Sequence, residues 1–285
     1  MPGTLYLCAT PIGNLEDMTF RVVNCLKTVD LIAAEDTRNS KKLLNHFEIA
    51  TPMTSYHEHN KYDKAKILIE KLAAGQNIAL ITDAGTPGIS DPGEVLVRLC
   101  YEAGIEVTAL PGGCAFVLAL ILSGLSTRRF VFEAFLPREK KEKEKVLKEL
   151  EQETRTIVLY EAPHRLLKTL ESLYGSLGDR EIAVVRELTK RYEEVKRVSL
   201  SEGIAYYQEH EVKGEIVLVI AGRDRKELEA AEVSAWEKLS VTEHMEYYLE
   251  QGIDKKEAMK KVAKDRNLTK RDIYQELLEL KKEEK

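Results

Sequence analysis

The sequence predicts an α/β protein with a helical tail, on three observations. Short apolar runs alternate with longer amphipathic stretches through residues 1–115, the pattern of a mostly parallel sheet covered by helices. Three of those runs open into loops dense in glycine, proline and hydroxyl residues. The last 45 residues show helical periodicity alone.

The first strands are expected at about 4–8, 30–34, 78–83 and 105–110, and the helices at about 19–28, 39–46, 61–74 and 93–103. Leu5-Tyr6-Leu7-Cys8 runs into Ala9-Thr10-Pro11-Ile12-Gly13-Asn14-Leu15. Ile78-Ala79-Leu80-Ile81 runs into Thr82-Asp83-Ala84-Gly85-Thr86-Pro87-Gly88-Ile89-Ser90-Asp91-Pro92-Gly93, and Val107–Leu110 into Pro111-Gly112-Gly113-Cys114-Ala115. Loops with so little bulk let a ligand approach the backbone while fixed turns hold their shape. At strand ends of a parallel sheet they mark one shared small-molecule cleft. Neither G-x-G-x-x-G nor the P-loop pattern is present, so the usual phosphate-binding fingerprints are excluded.

Phe116–Leu122 is the most apolar helical segment and is far too short to span a bilayer. A second unit begins near Thr127, with strands at Phe130–Phe135, Arg155–Tyr160, Ile182–Val185 and Glu215–Ile220. Between them lie a solvated Lys/Glu-rich helix, Glu139–Glu153, a helix at Leu166–Tyr174, and a charge-alternating stretch, Lys190–Arg197, that reads as a twisted hairpin. Arg223–Leu239 is a charged linker, and helices follow at 242–250, 254–265 and 269–281, the last capped by Thr269 with Asp272 three residues on. This tail reads equally as a helix-turn-helix-like appendage or as a small packing bundle. The resulting division is 1–122, 123–225, a linker at 226–239, and 240–285.

A net charge of −5 argues against a wholly basic nucleic-acid coat but leaves room for local basic patches. The four cysteines, Cys8, Cys25, Cys100 and Cys114, stand singly in apolar surroundings, which points to buried reduced thiols rather than zinc or redox motifs. The N-terminus shows no basic stretch followed by an apolar one, so no secretion signal is expected.

Charge gathers where strands end. Glu35-Asp36-Thr37-Arg38 follows Ala33-Ala34 directly, so these groups sit at the carboxyl edge of the sheet. Arg38 either pairs with the acids as scaffolding or binds phosphate. His57 and His59 form a lone H-x-H with Asn60 beside it, which favours substrate contact over a metal site. Tyr160-Glu161-Ala162-Pro163-His164-Arg165 and Arg186-Glu187-Leu188-Thr189-Lys190 are either salt-bridge networks or, with Arg38, a phosphate-friendly rim.

Five of these segments, Ala9–Leu15, Ala34–Arg38, Asp83–Gly93, Tyr160–Arg165 and Arg186–Lys190, together resemble the rRNA ribose methyltransferases of the tetrapyrrole methylase superfamily, collinearly from residue 4 to about 222. The resemblance implies two α/β domains of tetrapyrrole methylase type with S-adenosylmethionine in the cleft between them, plus an all-helical C-terminal domain. It implies 2′-O-methylation of a decoding-centre cytidine in 16S rRNA, within the 30S subunit, by a cytoplasmic homodimer with no metal. Pro11, Asp83, Ala84, Gly85, Thr86, Ile89, Gly112, Cys114, Ala115, Tyr160 and Glu161 would then shape the cofactor pocket. Arg38, His57, Asn60, His164, Arg165 and Arg186 would face RNA. Such a transfer chiefly needs alignment of donor and acceptor. A ribose hydroxyl also needs a base or an alkoxide-stabilising cation, and Glu35, Asp36 and Lys190 are the candidates. Relatives usually carry Ser or Asn where this chain has Cys114, which predicts a backbone contact to the cofactor there. Two rivals stand beside this reading: methylation of a small tetrapyrrole, and a non-catalytic RNA-binding protein.

Overall fold

The computed structural model describes residues 1–225, 236 and 239–283, so the expected linker at 226–239 lies almost wholly outside the described residues. Met1–Lys148 and Arg155–Ala221 form one compact unit, which holds both α/β segments. Among the described residues, no helix is long and apolar enough to cross a membrane.

The first sheet contains β1 (Thr4–Cys8), β2 (Leu31–Ala34), β3 (Met53–Ser55), β4 (Ile78–Ile81) and β5 (Glu106–Leu110), in the order β3-β2-β4-β1-β5. Every pairing is parallel, as the alternation predicts. Helices α1 (Phe20–Thr28), α2 (Thr37–His46), α3 (Lys61–Ala73) and α4 (Gly93–Glu102) make the crossovers. Leu5, Leu68, Ile78 and Leu80 pack on one face, and Val22, Leu26, Ile32 and Ile81 on the other. β4 is buried along its whole length, which is why it reads as a continuous apolar run. Parallel pairing brings all five carboxyl ends to one edge, and β1, flanked by β4 and β5, brings their three loops side by side.

The second sheet contains β6 (Phe130–Phe135), β7 (Thr156–Glu161), β8 (Glu181–Arg186), β9 (Glu194–Ser199) and β10 (Ile216–Ile220), in the order β6-β7-β10-β8-β9. Only β6 and β7 run parallel; the other pairings are antiparallel. Lys190–Arg197, expected to be a hairpin by itself, supplies the turn and part of the second strand of a longer one, β8–β9, and β9 tolerates its charges because it is an edge strand. The helix α5 (Ala115–Leu122) lays Ala119 and Leu120 on Val158, Val185 and Val217. Ile12 from the β1 loop joins the same cluster. The helices α6 (Lys140–Glu151), α7 (Leu166–Leu177) and α8 (Leu200–Glu209) complete this half.

Glu149–Thr154 and Gly222–Lys285 make a second compact unit. Its helices α9 (Val241–Glu250), α10 (Lys255–Asp265) and α11 (Lys270–Glu283) enclose Val241, Met245, Ala258, Val262 and Ile273. Ser240 and Asp254 cap the first two. The expected Thr269–Asp272 start of the third is present, with reciprocal bonds of 2.9 and 3.3 Å.

Candidate functional site

The three strand-end loops are bonded into one assembly. Thr10 and Gly85 exchange backbone hydrogen bonds, the Thr86 hydroxyl donates to the Gly113 carbonyl at 2.9 Å, and the Thr10 hydroxyl reaches the Thr82 carbonyl at 3.2 Å. Gly112 is needed for this closeness, because a Cβ there would lie 2.5 Å from the Ala9 Cβ. Asp91 organises the outer turn, accepting from the backbone N–H groups of Gly88, Ile89 and Gly93 at 2.7–3.1 Å. The Tyr56 hydroxyl, buried beneath, donates to the Pro92 carbonyl at 2.9 Å.

This assembly faces the second sheet across a cavity of about 480 Å³. Ile12, Glu35, Thr82–Thr86, Ile89–Asp91, Cys114 and Ala115 line one side; Phe135, Tyr160–Pro163, Val185, Leu188 and Gly214–Val217 line the other. A bulge in β6, with Ala134 at φ 56°, precedes Phe135, whose ring lies 5.6 Å from that of Tyr160. Five acids line the cavity, Glu35, Asp83, Asp91, Glu161 and Glu215, and among the described residues no Lys, Arg or His does. Glu161 is spent on structure: it accepts from its neighbour Ala162 N–H at 2.7 Å and from the Thr169 hydroxyl, and Arg165 lies 3.4 Å away. No group of three or more His, Cys, Asp or Glu among the described residues is placed to hold a metal.

The three acid–base candidates separate. Glu35 lines the cavity and accepts from the Asp83 N–H at 3.5 Å. Burial pushes its carboxyl above the usual value, and the negative charges of Asp83 and Asp91 add to this. Asp36 caps α2 through the Arg38 N–H at 2.8 Å and grips the Arg38 guanidinium with both oxygens, at 3.2 and 2.9 Å. Those bonds hold its carboxyl down at about 2, which makes it a poor base. Lys190 bridges Glu187 and Glu215 at 2.9 and 2.8 Å. Burial alone would lower its ammonium, but the two carboxylates outweigh that and raise it, so Lys190 is a fixed cation.

Of the eleven residues expected at the cofactor, Pro11 and Gly112 do not line this cavity, whereas Asp83, Ala84, Gly85, Thr86, Ile89, Cys114, Ala115, Tyr160 and Glu161 do. The residues expected to face RNA largely meet protein. Arg165 donates to the Leu136 carbonyl at 2.8 Å, Arg186 pairs with Glu194 at 2.8 Å, and Asn60 accepts from the His57 N–H at 2.8 Å. His164 lines a separate groove with Tyr207 and His210. Sequence reasoning missed Phe135, Leu188 and Glu215, which reach the cavity from the second sheet. It also missed left-handed backbone at Ser90, Glu187 and Thr189, for which no glycine gives a signal.

Residues 4–203 match the family model described as Tetrapyrrole (Corrin/Porphyrin) Methylases. The chain is 52% identical over 272 residues to the ribosomal RNA small subunit methyltransferase I of Bacillus subtilis (strain 168), covering 95% of this chain and 93% of that one. It is 50% identical over 279 residues to the protein of that name from Synechocystis sp., covering 98% of each. Among solved structures, the uroporphyrin-III-C-methyltransferase of Thermus thermophilus superposes with a TM-score of 0.55 at 18% identity, over 77% of this chain and 94% of that one. A diphthine synthase superposes with a TM-score of 0.61 at 13% identity, over 77% and 90%. The parallel first sheet and the mixed second sheet are thus those of a known fold, and the chain belongs to the tetrapyrrole methylase family, among relatives called ribosomal RNA small subunit methyltransferase I.

Proposed function

We propose that this chain transfers a methyl group from S-adenosylmethionine to the ribose 2′-oxygen of a decoding-centre cytidine in 16S rRNA. The observation that carries this is the acid-lined cavity, built from the five-motif region in a chain half-identical to small-subunit rRNA methyltransferases over nearly its whole length. The residues fit the cofactor. Its sulfonium and ammonium are cationic, which suits a wall bearing Glu35, Asp83 and Asp91, with Glu215 already matched by Lys190. The same wall, without a cation, suits no polyphosphate-bearing cofactor. Ile12, Leu188 and Val217 offer apolar surface for a ring, and the backbone of Asp83–Thr86 and Cys114–Ala115 offers polar groups. One solved neighbour of the fold, a Thermus thermophilus uroporphyrin-III C-methyltransferase, is complexed with S-adenosyl homocysteine.

When bound, the cofactor supplies an electrophilic methyl group. The chain's own work is to align the acceptor and remove its proton. As the ribose oxygen took up that methyl group, with the leaving electron pair kept by the cofactor, the Glu35 carboxylate would take the hydroxyl proton. A raised carboxyl makes Glu35 the better base of the two acids. A homodimer is supported by α5, which is apolar all round yet leaves Ile121 61% exposed, with Val117, Leu122 and Phe130 also exposed. The helical tail, carrying Lys255, Lys256, Lys260, Lys261 and Lys264, is assigned to capture of the 30S subunit, and the protein to the cytoplasm.

The test is nucleoside mass spectrometry of 16S rRNA incubated as 30S subunits with the protein and S-adenosylmethionine, with a uroporphyrinogen as rival substrate. A new 2′-O-methylcytidine supports the proposal. Methylation of the macrocycle alone, or RNA binding with no cofactor binding, sinks it in favour of one of the two rivals.

A further inference from the structure

Thr82 and Asp83 wall the large cavity and also wall a second one, of about 270 Å³. This second chamber lies between the loop Thr10–Leu15 and the first turns of α2, which contribute Asn39, Ser40 and Lys42. Pro11, expected at the cofactor, lines it instead. The two chambers differ in chemistry. The first is acidic; the second has neutral hydrogen-bonding groups and a lysine.

Its polar groups are left over by the protein. Ser40 is only 4% exposed, and its hydroxyl oxygen is buried without a partner, although a helical serine commonly bonds back to its own helix. Asn39 makes one long contact, 3.5 Å to Asp83, which leaves its amide oxygen unused. Lys42 is exposed at the chamber's edge, and none of the ion pairs among the described residues includes it. α2 carries Arg38, Lys41 and Lys42 with no acid between Thr37 and His46, and Arg38 and Lys42 are four residues apart on one face. Asp36 already pairs with Arg38, so among the described residues it is Lys42 that meets the chamber without a protein anion.

We propose that this second chamber seats the acceptor nucleotide, turned out of its RNA strand, with its base against Asn39 and Ser40 and its phosphate on Lys42. This rests on the rRNA methyl-transfer reading. The shared wall at Thr82–Asp83 then receives the ribose, beside Glu35, which accepts from the Asp83 N–H. A nucleotide has to leave its stack to bring one hydroxyl into such a site. At about 270 Å³ the chamber lies just below the ~300–1,000 Å³ usual for drug-sized ligands, a size that suits a single base with its ribose at the shared wall.

The experiment compares the wild type with Asn39→Leu, Ser40→Ala and Lys42→Ala; Asn39 and Lys42 are exposed, so those two fold even if Ser40→Ala does not. Three quantities are measured: S-adenosylhomocysteine affinity by calorimetry, methylation kinetics on 30S subunits, and saturation-transfer NMR of cytidine 5′-monophosphate with S-adenosylhomocysteine present. Cofactor affinity is expected to stay within about twofold, while the KM for 30S subunits rises about tenfold in Asn39→Leu and Lys42→Ala. Lys42→Ala also lowers the salt slope of RNA binding by about one. The nucleotide signal is lost in Asn39→Leu. Wild-type kinetics and an unchanged nucleotide signal in both exposed variants overturn the proposal alone. A wild type that binds cofactor but methylates no 16S ribose overturns the functional reading and this one with it.

Discussion

Thr10 and Gly85 exchange two backbone hydrogen bonds, of 2.9 and 3.1 Å, and so fasten the loop after β1 to the loop after β4. The exchange needs Gly85 at φ +86°, a conformation that a side chain disfavours. A Cβ there would also meet the Ile12 methyl at 3.3 Å and the Gly113 carbonyl at 3.4 Å. One residue therefore couples three loops.

Gly85→Val is expected to pull these loops apart and weaken S-adenosylmethionine binding by about tenfold or more, roughly 1.4 kcal/mol. Calorimetry on a folded variant checks it. An affinity equal to wild type would show that the loop assembly is not the cofactor site.

Glu35→Gln tests the base. A general base works only when deprotonated, so methyl transfer must fall as pH drops through the Glu35 value. Burial and neighbouring acids raise that value above the usual 4.5, and the acid limb of kcat/KM moves up with it. Glu35→Gln should abolish the limb and slow turnover at saturating cofactor by about 10²–10⁴-fold. If the limb persists in Glu35→Gln, another group takes the proton.

Arg38 was readable from the sequence as either scaffold or phosphate ligand; the structure shows the scaffold pairing and leaves the head group open to solvent. Its bidentate pairing with Asp36 is built, yet the side chain is 89% exposed. Exposed pairs contribute little stability, and Asp36 keeps its capping bond to the residue 38 backbone N–H after substitution. Arg38→Ala should therefore leave the melting temperature nearly unchanged while raising the KM for 30S subunits. A clear drop in melting temperature with unaltered RNA kinetics would make the pair scaffolding only.

What the sequence made legible was chemistry placed by strand ends. The parallel first sheet followed from alternation, and the three glycine-rich loops followed from composition, because a parallel sheet puts every such loop on one edge. β3 was not legible, since Met53–Ser55 is too short to show a period. The antiparallel pairings of the second sheet were hidden because β7, β8 and β10 are buried on both faces and read as plain apolar runs. α8 was missed although its signal is present: Ser199 and Glu202 form a capping box directly before it. The partners of Arg165 and Arg186, Glu161 and Glu194, are four and eight residues away, close enough to notice, but only the fold shows that they consume the guanidinium groups.

The helical tail carries its own pH response in His244. The imidazole is fully buried, stacked on the Trp236 ring at 4.0 Å, with the Arg266 Nε donating to its Nδ1 at 3.2 Å. That bond makes Nδ1 an acceptor, so the ring is neutral with its proton on Nε2, 3.4 Å from Asp265. Burial and the nearby Arg266 charge push the pKa below the ordinary 6.5, against the opposing pull of Asp265. The folded tail thus refuses a proton that the unfolded chain accepts near pH 6.5. Between the depressed folded value and 6.5 the unfolded state binds more protons, so stability rises with pH and is lost as pH falls through that window, by at most about 1.4 kcal/mol per pH unit. Glu243, Glu257 and Asp272 are held below their ordinary carboxylate values, so what they contribute is lost only in the carboxylate range, beneath pH 5.5. Trp236 is the only tryptophan, so its fluorescence in urea reports this unit. The midpoint should fall between pH 7.5 and 5.5 in the wild type and flatten in His244→Gln, which is less stable at pH 7.5 but insensitive to acid there. A wild-type midpoint that does not move over this range would remove His244 as the cause and leave the buried ring a packing element alone.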